Sequence, residues 1–206
     1  MNSQLWGMGG IAEMAEEKPK TEILVREPAV LEIVDNRIYF YAEIGRSEVL
    51  KLNKELRNLN NTHLAQAQQR EDDHLTPIYL HINSYGGNIF SGLAGLDQIM
   101  KLTVPVYTII DGCCASAATF LSIVGKRRFI NRHSFMLIHQ LSSFMWGKYE
   151  EFKDEIQNLD RLMGMIKEIY GEFTKVPEDK IDEILKHDLW FDAQTCLEYS
   201  LVDEII

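Results

Sequence analysis

The chain has 206 residues, 46% of them hydrophobic and 25% charged, with a formal net charge of −10 at pH 7. Length and apolar content together support one globular domain with a sizeable core. The acidic balance argues against a nucleic-acid surface and leaves residues 126–128 (KRR) as a local basic patch.

Residues 1–28 contain GMGG and EEKPK without a periodic apolar pattern, which predicts a mobile N-terminal arm over 1–29. This stretch holds acidic residues and lacks an apolar h-region, so no signal peptide is expected. The longest apolar run, residues 112–124, is too short to span a bilayer. Three cysteines, two of them adjacent, do not form a secreted disulfide framework and point to a reducing, cytoplasmic compartment. The adjacent pair lacks partners at zinc-ligand spacing, so no metal site is expected. There is no internal repeat and no nucleotide-binding Walker motif.

Residues 58–76, with QAQQREDDH near their end, read as a helix end followed by a surface loop, putting His63 and His74 in polar, looped chain. Residues 78–84 (IYLHINS) form a strand with His81 inside it. Tyr85, Gly86 and Gly87 follow, then an amphipathic helix with Ile89, Leu93, Leu96 and Met100 on one face. Paired glycines at a strand end allow positive φ and close approach of a ligand, although a plain tight turn is the simpler reading. Residues 104–111 are β-branched and apolar, as in a buried strand, and residues 115–124 read as a buried helix. Between them GCCASAATF puts Ser116 at a strand-to-helix turn, among residues too small to block access. N–H groups at such a helix start are unpaired and can stabilise an oxyanion, but small residues and serine also cap ordinary helices. Two successive strand–turn–helix units predict an α/β fold with both turns at one sheet edge.

A nucleophilic serine needs a base, and the base needs an orienting partner. His133 precedes the strand 134–139, His139 closes it, and His187 ends a helix just before Asp188. No spacing rule selects Ser116, His139 and Asp188 from these, because strand histidines and carboxylates after helices have structural and solvated roles of their own. From residue 147 to 173 there is no proline, and Phe152, Ile156, Leu159, Met163, Ile166, Tyr170 and Phe173 recur at 4-3-4-3 spacing. That heptad-like stripe predicts one long helix, packed on its own core or on another subunit. Gly164 and Gly171 each cost it about 1 kcal/mol relative to alanine. A helix this long outruns a core of this size, which favours the subunit contact.

Four blocks now combine: residues 82–87 (INSYGG), 112–117 (GCCASA), 136–140 (MLIHQ), and His187-Asp188 with 198–203 (EYSLVD). In this order and near this spacing they resemble the proteolytic subunit of the Clp protease, a serine peptidase family, over roughly residues 30–206. The resemblance implies an α/β, ClpP/crotonase-like fold of repeated strand–turn–helix units with a protruding handle helix. The head would span about 30–140 and 175–206, with the handle at about 141–174. Ser116 would be the nucleophile, His139 the general base and acid, and Asp188 the group orienting the imidazole. Gly87 and Ala117 would give backbone N–H groups to the oxyanion hole. No metal or organic cofactor would be bound. Two stacked heptameric rings, interlocked by the handles, would enclose the sites and admit unfolded polypeptides or short peptides. ATP would be used by a separate AAA+ unfoldase of the Clp type.

The chain also departs from that family. Tyr85 stands where proline is usual, Cys113 and Cys114 replace a Met/Ala-like pair, and Ser200 occupies a helix cap commonly given to glycine. Residues 142–146 (SSFMW) are poorer in glycine than the family's substrate-pairing strand. Residues 1–28 and 58–76, in the regions that would meet an unfoldase, differ most. A virus-encoded relative for capsid maturation would keep the three site residues without an ATPase. A crotonase-like acyl-CoA enzyme would share the fold and the oxyanion site but would not need Ser116 with His139. A scaffolding pseudo-subunit is disfavoured by the intact Ser116, His139 and Asp188. A signal-peptide peptidase would use a serine–lysine pair and usually a membrane anchor.

Overall fold

A computed structural model describes residues 30–70 and 75–206. The arm expected over residues 1–29, His74 and the loop 71–74 lie outside the described residues. Strands β1 (Val30–Val34) and β2 (Arg37–Tyr41) form an antiparallel hairpin closed at Val34↔Arg37, its turn using Asp35 at a φ of 55°. Helix α1 (Arg46–Arg70) returns the chain to β3 (Ile78–Ser84), parallel to β2, and α2 (Ile89–Met100) leads to β4 (Val106–Ala115), parallel to β3. A single 3-10 turn (Ser116–Ala118) and α3 (Thr119–Ile123) precede β5 (Arg127–Ile130). Then come β6 (Phe135–Leu137), α4 (Tyr149–Phe173), α5 (Glu178–Leu185), β7 (Trp190–Phe191), α6 (Ala193–Glu198) and β8 (Glu204–Ile205).

The main sheet runs β1-β2-β3-β4-β5-β8. Strand β4 forks. Its first half (107–110) pairs with β5, and its last three residues (113–115) pair with β6, which in turn pairs antiparallel with β7. Gly112, at a φ of 81°, stands between the two halves, and its N–H donates to Ser134 Oγ at 2.7 Å. Ile38, Phe40, Ile78, Leu80, Ile82 and Ile110 are fully buried in the core with Leu52, Leu56 and Leu121 from the helices. Each such side chain is worth roughly 1.5–3 kcal/mol of burial.

Several sequence expectations change here. Helix α1 continues to Arg70, so His63 is helical and buried, with Nδ1 2.7 Å from the Thr76 carbonyl oxygen. The buried face of α2 is Ser91, Gly92, Gly95, Leu96 and Ile99, whereas Met100 is exposed and Ile89 and Leu93 are only partly covered. A side chain at Gly92 would come 2.9 Å from the Ala117 carbonyl oxygen, so close helix contact, not apolar bulk, selects this face. Strand β4 runs to Ala115, four residues past the expected end, because β6 pairs with its extension. Residues 141–146 form no strand within the chain. The 126–128 patch is largely neutralised, with Arg127 paired to Glu204 and Arg128 to Asp203. Ser200 does take the left-handed cap, at a φ of 51°.

Helix α4 divides its apolar stripe. Ile166 and Tyr170 are buried, and Met163, Ile169 and Phe173 pack on the core. In the first half Phe152 and Ile156 are 37% and 55% exposed. The two packing alternatives for this stripe thus separate by half: the C-terminal turns serve this subunit's core and the N-terminal turns do not.

Candidate active site

Ser116 follows β4 directly and lies in the left-handed region at a φ of 55°. A non-glycine residue is uncommon there, and holding one costs on the order of 1–2 kcal/mol. The strain is imposed from three sides. Pairing of residues 113–115 with β6, and of Cys114 with Ser84 of β3, fixes the strand up to Ala115. The 3-10 turn starts at once, with Thr119 N–H returning to the Ser116 carbonyl. Gly86, at a φ of 96°, lies against the turn so closely that a Cβ there would be 2.6 Å from both the Ala115 oxygen and Ser116 Cβ. The glycine pair is therefore a demand of the serine turn as well as a tight turn in itself.

Gly87 forms an isolated parallel bridge with Ile44. Ile44 N–H donates to the Gly86 oxygen at 2.7 Å, and Asn88 N–H donates to the Ile44 oxygen at 2.8 Å. Parallel pairing of this kind turns the Gly87 N–H to the other side, where Gly87 lines a cavity. Asn88 caps α2 by accepting from Ser91 N–H at 3.0 Å, which fixes the chain leaving the glycines. Ala117 is the second residue of the 3-10 turn, so its N–H has no partner within the turn. Its nitrogen would lie 3.2 Å from a Cβ at Gly86, so the two backbone stretches are neighbours.

The cavity, of about 200 Å³, is lined by Ser116, Gly87, Ala117 and His139, and by Phe120, Leu141, Ile166 and Tyr170 among others. His139 follows β6, held by a bond from Gln140 N–H to the Leu185 oxygen at 2.7 Å. Asp188 follows α5 and is carried in by the pairing of β7 with β6 at Trp190↔Leu137. His139 Nδ1 lies 3.8 Å from Asp188 Oδ1, an ion-pair distance just beyond hydrogen-bond reach, and the Asp188 side chain is 82% exposed. Four of the five expected site residues thus surround one cavity, and Asp188 stands behind His139. Of the other described histidines, His63 is engaged with the Thr76 oxygen (2.7 Å), His81 with Asp111 (2.8 Å) and Arg37 (3.0 Å), and His187 with Glu183 (3.1 Å).

Two cysteines precede Ser116, and neither competes as nucleophile. Burial pushes both thiols up, Cys114 far above the ordinary range, so neither is a thiolate near neutral pH. Among the described residues no three His, Cys, Asp or Glu side chains gather as metal ligands, and no helix is long and apolar enough to cross a membrane. Sequence reasoning missed one pair at the site. Thr119 Oγ1 donates to the Ser116 oxygen at 2.6 Å and lies 2.6 Å from the Tyr170 hydroxyl. The heptad count had identified Tyr170 only as an apolar stripe position; nothing in the sequence linked it to Thr119.

Comparison with known proteins follows the same lines. Residues 35–206 match the family described as Clp protease. The chain is 34% identical over 132 residues to the ATP-dependent Clp protease proteolytic subunit 2 of Treponema pallidum, covering 63% of this chain and 66% of that protein. It is 30% identical over 168 residues to the ATP-dependent Clp protease proteolytic subunit of Triticum aestivum, covering 79% and 78%. Against the bacterial relatives from Treponema and Protochlamydia, the match spans about two thirds of their length. The solved structure of an asparagine-to-aspartate mutant of ClpP1 from Listeria monocytogenes superimposes with a TM-score of 0.71 at 23% identity, covering 83% of this chain and 91% of that one. The likeness establishes the fold expected from the sequence blocks. None of these relatives favours the capsid-maturation or acyl-CoA alternatives.

Proposed function

The chain belongs to the Clp protease family, and from that premise we propose that it is a serine endopeptidase, the proteolytic component of a Clp-type ATP-dependent protease. The observation that carries this reading is Ser116, held at a φ of 55° on the wall of a cavity that His139 and Gly87 also line. Strain of this kind persists only where the surrounding structure enforces it, and here it presents Ser116 at the cavity.

Ser116 Oγ attacks the scissile carbonyl carbon while its proton passes to His139. The carbonyl oxygen becomes an oxyanion and accepts hydrogen bonds from the N–H groups of Gly87 and Ala117, each worth roughly 10²–10³ in turnover. Collapse breaks the C–N bond, His139 protonates the departing amine, and an acyl-serine remains. Water, deprotonated by His139, then releases the acid and restores Ser116. Asp188 orients the imidazole by accepting from Nδ1–H, for which the 3.8 Å gap must close by roughly 0.6–1 Å. No metal or organic cofactor enters these steps.

The protein works as an oligomer, two stacked heptameric rings with the sites inside, in the cytoplasm and with an AAA+ unfoldase of the Clp type that uses ATP. In support, Phe144 and Trp146 are each 92% exposed beside the site, as are the apolar residues of the first half of α4 to a lesser degree. Exposed apolar surface of this kind marks an interaction site. The substrates are unfolded polypeptides or short peptides. Ser116→Ala tests the reading: it should abolish peptide hydrolysis and leave the fold unchanged, and wild-type turnover in the purified variant would overturn the assignment.

A further inference from the structure

Thr119 and Tyr170 are buried, at 0% and 2% exposure, next to the peptide that links Ser116 to Ala117. The direction of their hydrogen bonds follows from proton counting. The Ser116 carbonyl can only accept, so the single Thr119 hydroxyl proton is committed to it at 2.6 Å. The 2.6 Å contact between Thr119 Oγ1 and the Tyr170 hydroxyl must then be donated by tyrosine. The result is an ordered chain, Tyr170 O–H to Thr119 O–H to Ser116 O=C. Burial holds the phenol in its protonated, donating form by raising its pKa far above the ordinary value.

Packing alone does not ask for this hydroxyl. The Tyr170 ring already packs on Phe120, with centroids 6.1 Å apart, and phenylalanine would fill that place without a buried polar atom. What the hydroxyl reaches is the peptide unit whose other end is the Ala117 N–H. In a trans peptide the C=O and N–H point in opposite directions within one plane, so fixing the carbonyl fixes the aim of the N–H. The Ser116 carbonyl takes two bonds, from Thr119 N–H and Thr119 Oγ1. Hydrogen bonds in series within a buried site also polarise one another, which makes the N–H at the far end a better donor.

Resting on the serine-peptidase reading, we propose that Thr119 and Tyr170 are positioning residues: they hold and polarise the Ser116–Ala117 peptide so that the Ala117 N–H is aimed at the oxyanion. Neither touches substrate atoms in this role. Tyr170 comes from α4, so a helix distant in sequence from the nucleophile sets the strength of the oxyanion site.

The test uses the full chain in four variants: Thr119→Val, Thr119→Ser, Tyr170→Phe and the double Thr119→Val/Tyr170→Phe. Active sites are titrated with a fluorophosphonate; peptide turnover per titrated site and affinity for a peptide boronate, which binds as a tetrahedral adduct, are then measured. Loss of a whole oxyanion donor costs 10²–10³, so loss of its aim should cost less, roughly tenfold in kcat. That fall is expected for Thr119→Val and for the double variant, with KM and the pH profile unchanged and boronate affinity reduced in step. Tyr170→Phe should lose a smaller part, and Thr119→Ser should stay within about twofold of wild type. The double variant removes both partners and leaves no buried hydroxyl unpaired, so it keeps the test valid if Thr119→Val alone is unstable. A folded, labelled double variant with wild-type kcat and boronate affinity would overturn the proposal and leave the serine assignment standing. Failure of the fluorophosphonate to label Ser116 in the wild type would overturn both.

Discussion

Replacing Gly86 with alanine perturbs the proposed nucleophile, Ser116, without substituting it. A Cβ at this position meets the Ala115 oxygen and Ser116 Cβ at 2.6 Å, and both contacts would have to lengthen by about 0.8 Å to reach ordinary separation. Neither neighbour yields easily, since the first is strand backbone and the second is the strained serine itself. The φ of 96° adds a backbone penalty of about 1–2 kcal/mol for any L residue with a side chain. Together these predict a stability loss of roughly 2–4 kcal/mol. The displacement should fall on Ser116, and a shift of about 1 Å at a reacting group costs on the order of 10²-fold in rate. Urea unfolding midpoints measure the first effect, and fluorophosphonate labelling rate with peptide turnover measures the second. A Gly86→Ala variant that unfolds at the wild-type midpoint and turns over within about threefold of wild type would refute the close packing on which the site is built.

Gly164, inside α4 with open space around it, is the opposite case: Gly164→Ala should raise stability by up to about 1 kcal/mol, read from the same midpoints. Tyr41 has its phenol pushed up to about 12, by burial first and then by its hydrogen bond to Asp111. Its contribution to stability should be complete below the unfolded value of about pH 10, fade as pH rises through about 12, and be absent from Tyr41→Phe. For Asp111 burial pulls the carboxyl up, but bonds from His81, Tyr41 and Asn131 outweigh it and the net pKa is lowered. Its contribution should therefore be present above the ordinary aspartate pKa of about 3.9 and disappear on acidification below it, a slope that Asp111→Asn should flatten in urea titrations across acidic pH. Phe152→Glu with Ile156→Glu, placed on the uncovered half of α4, should reduce the sedimenting mass, whereas unchanged mass would show that this half is no subunit contact. Met163 is unsuited to that test because its sulfur accepts from Leu141 N–H, at 3.3 Å, within its own chain.

What the sequence made legible was local. The strand reading ahead of Tyr85-Gly86-Gly87 placed β3 over residues 78–84, and the proline-free stripe placed α4 within two residues of its start. Periodicity failed where polar residues took core positions. The buried row of α1 is Val49, Leu52, Leu56, Asn60, His63 and Ala67, a regular helical spacing in which asparagine and histidine stand for apolar side chains. They are tolerated because each is bonded: Asn60 Oδ1 accepts from the N–H groups of Thr103 and Val104, and His63 meets the Thr76 oxygen. The face of α2 was misjudged for a related reason, since glycines at 92 and 95 bury by contact distance and not by hydrophobicity. At the site, the four sequence blocks identified which residues to watch, but their convergence depends on the fork of β4 and on β7 pairing with β6, both long-range. The Tyr170–Thr119 contact, between α3 and α4, left no trace in spacing at all.

The central claim is that Ser116 is an activated nucleophile served by His139. Incubating the full-length protein with a fluorophosphonate and mapping the modified residue tests it most directly. The account predicts a single covalent adduct on Ser116, formed at a rate that falls by orders of magnitude in His139→Ala. An adduct on another residue, or labelling of Ser116 at the same rate without His139, would contradict it.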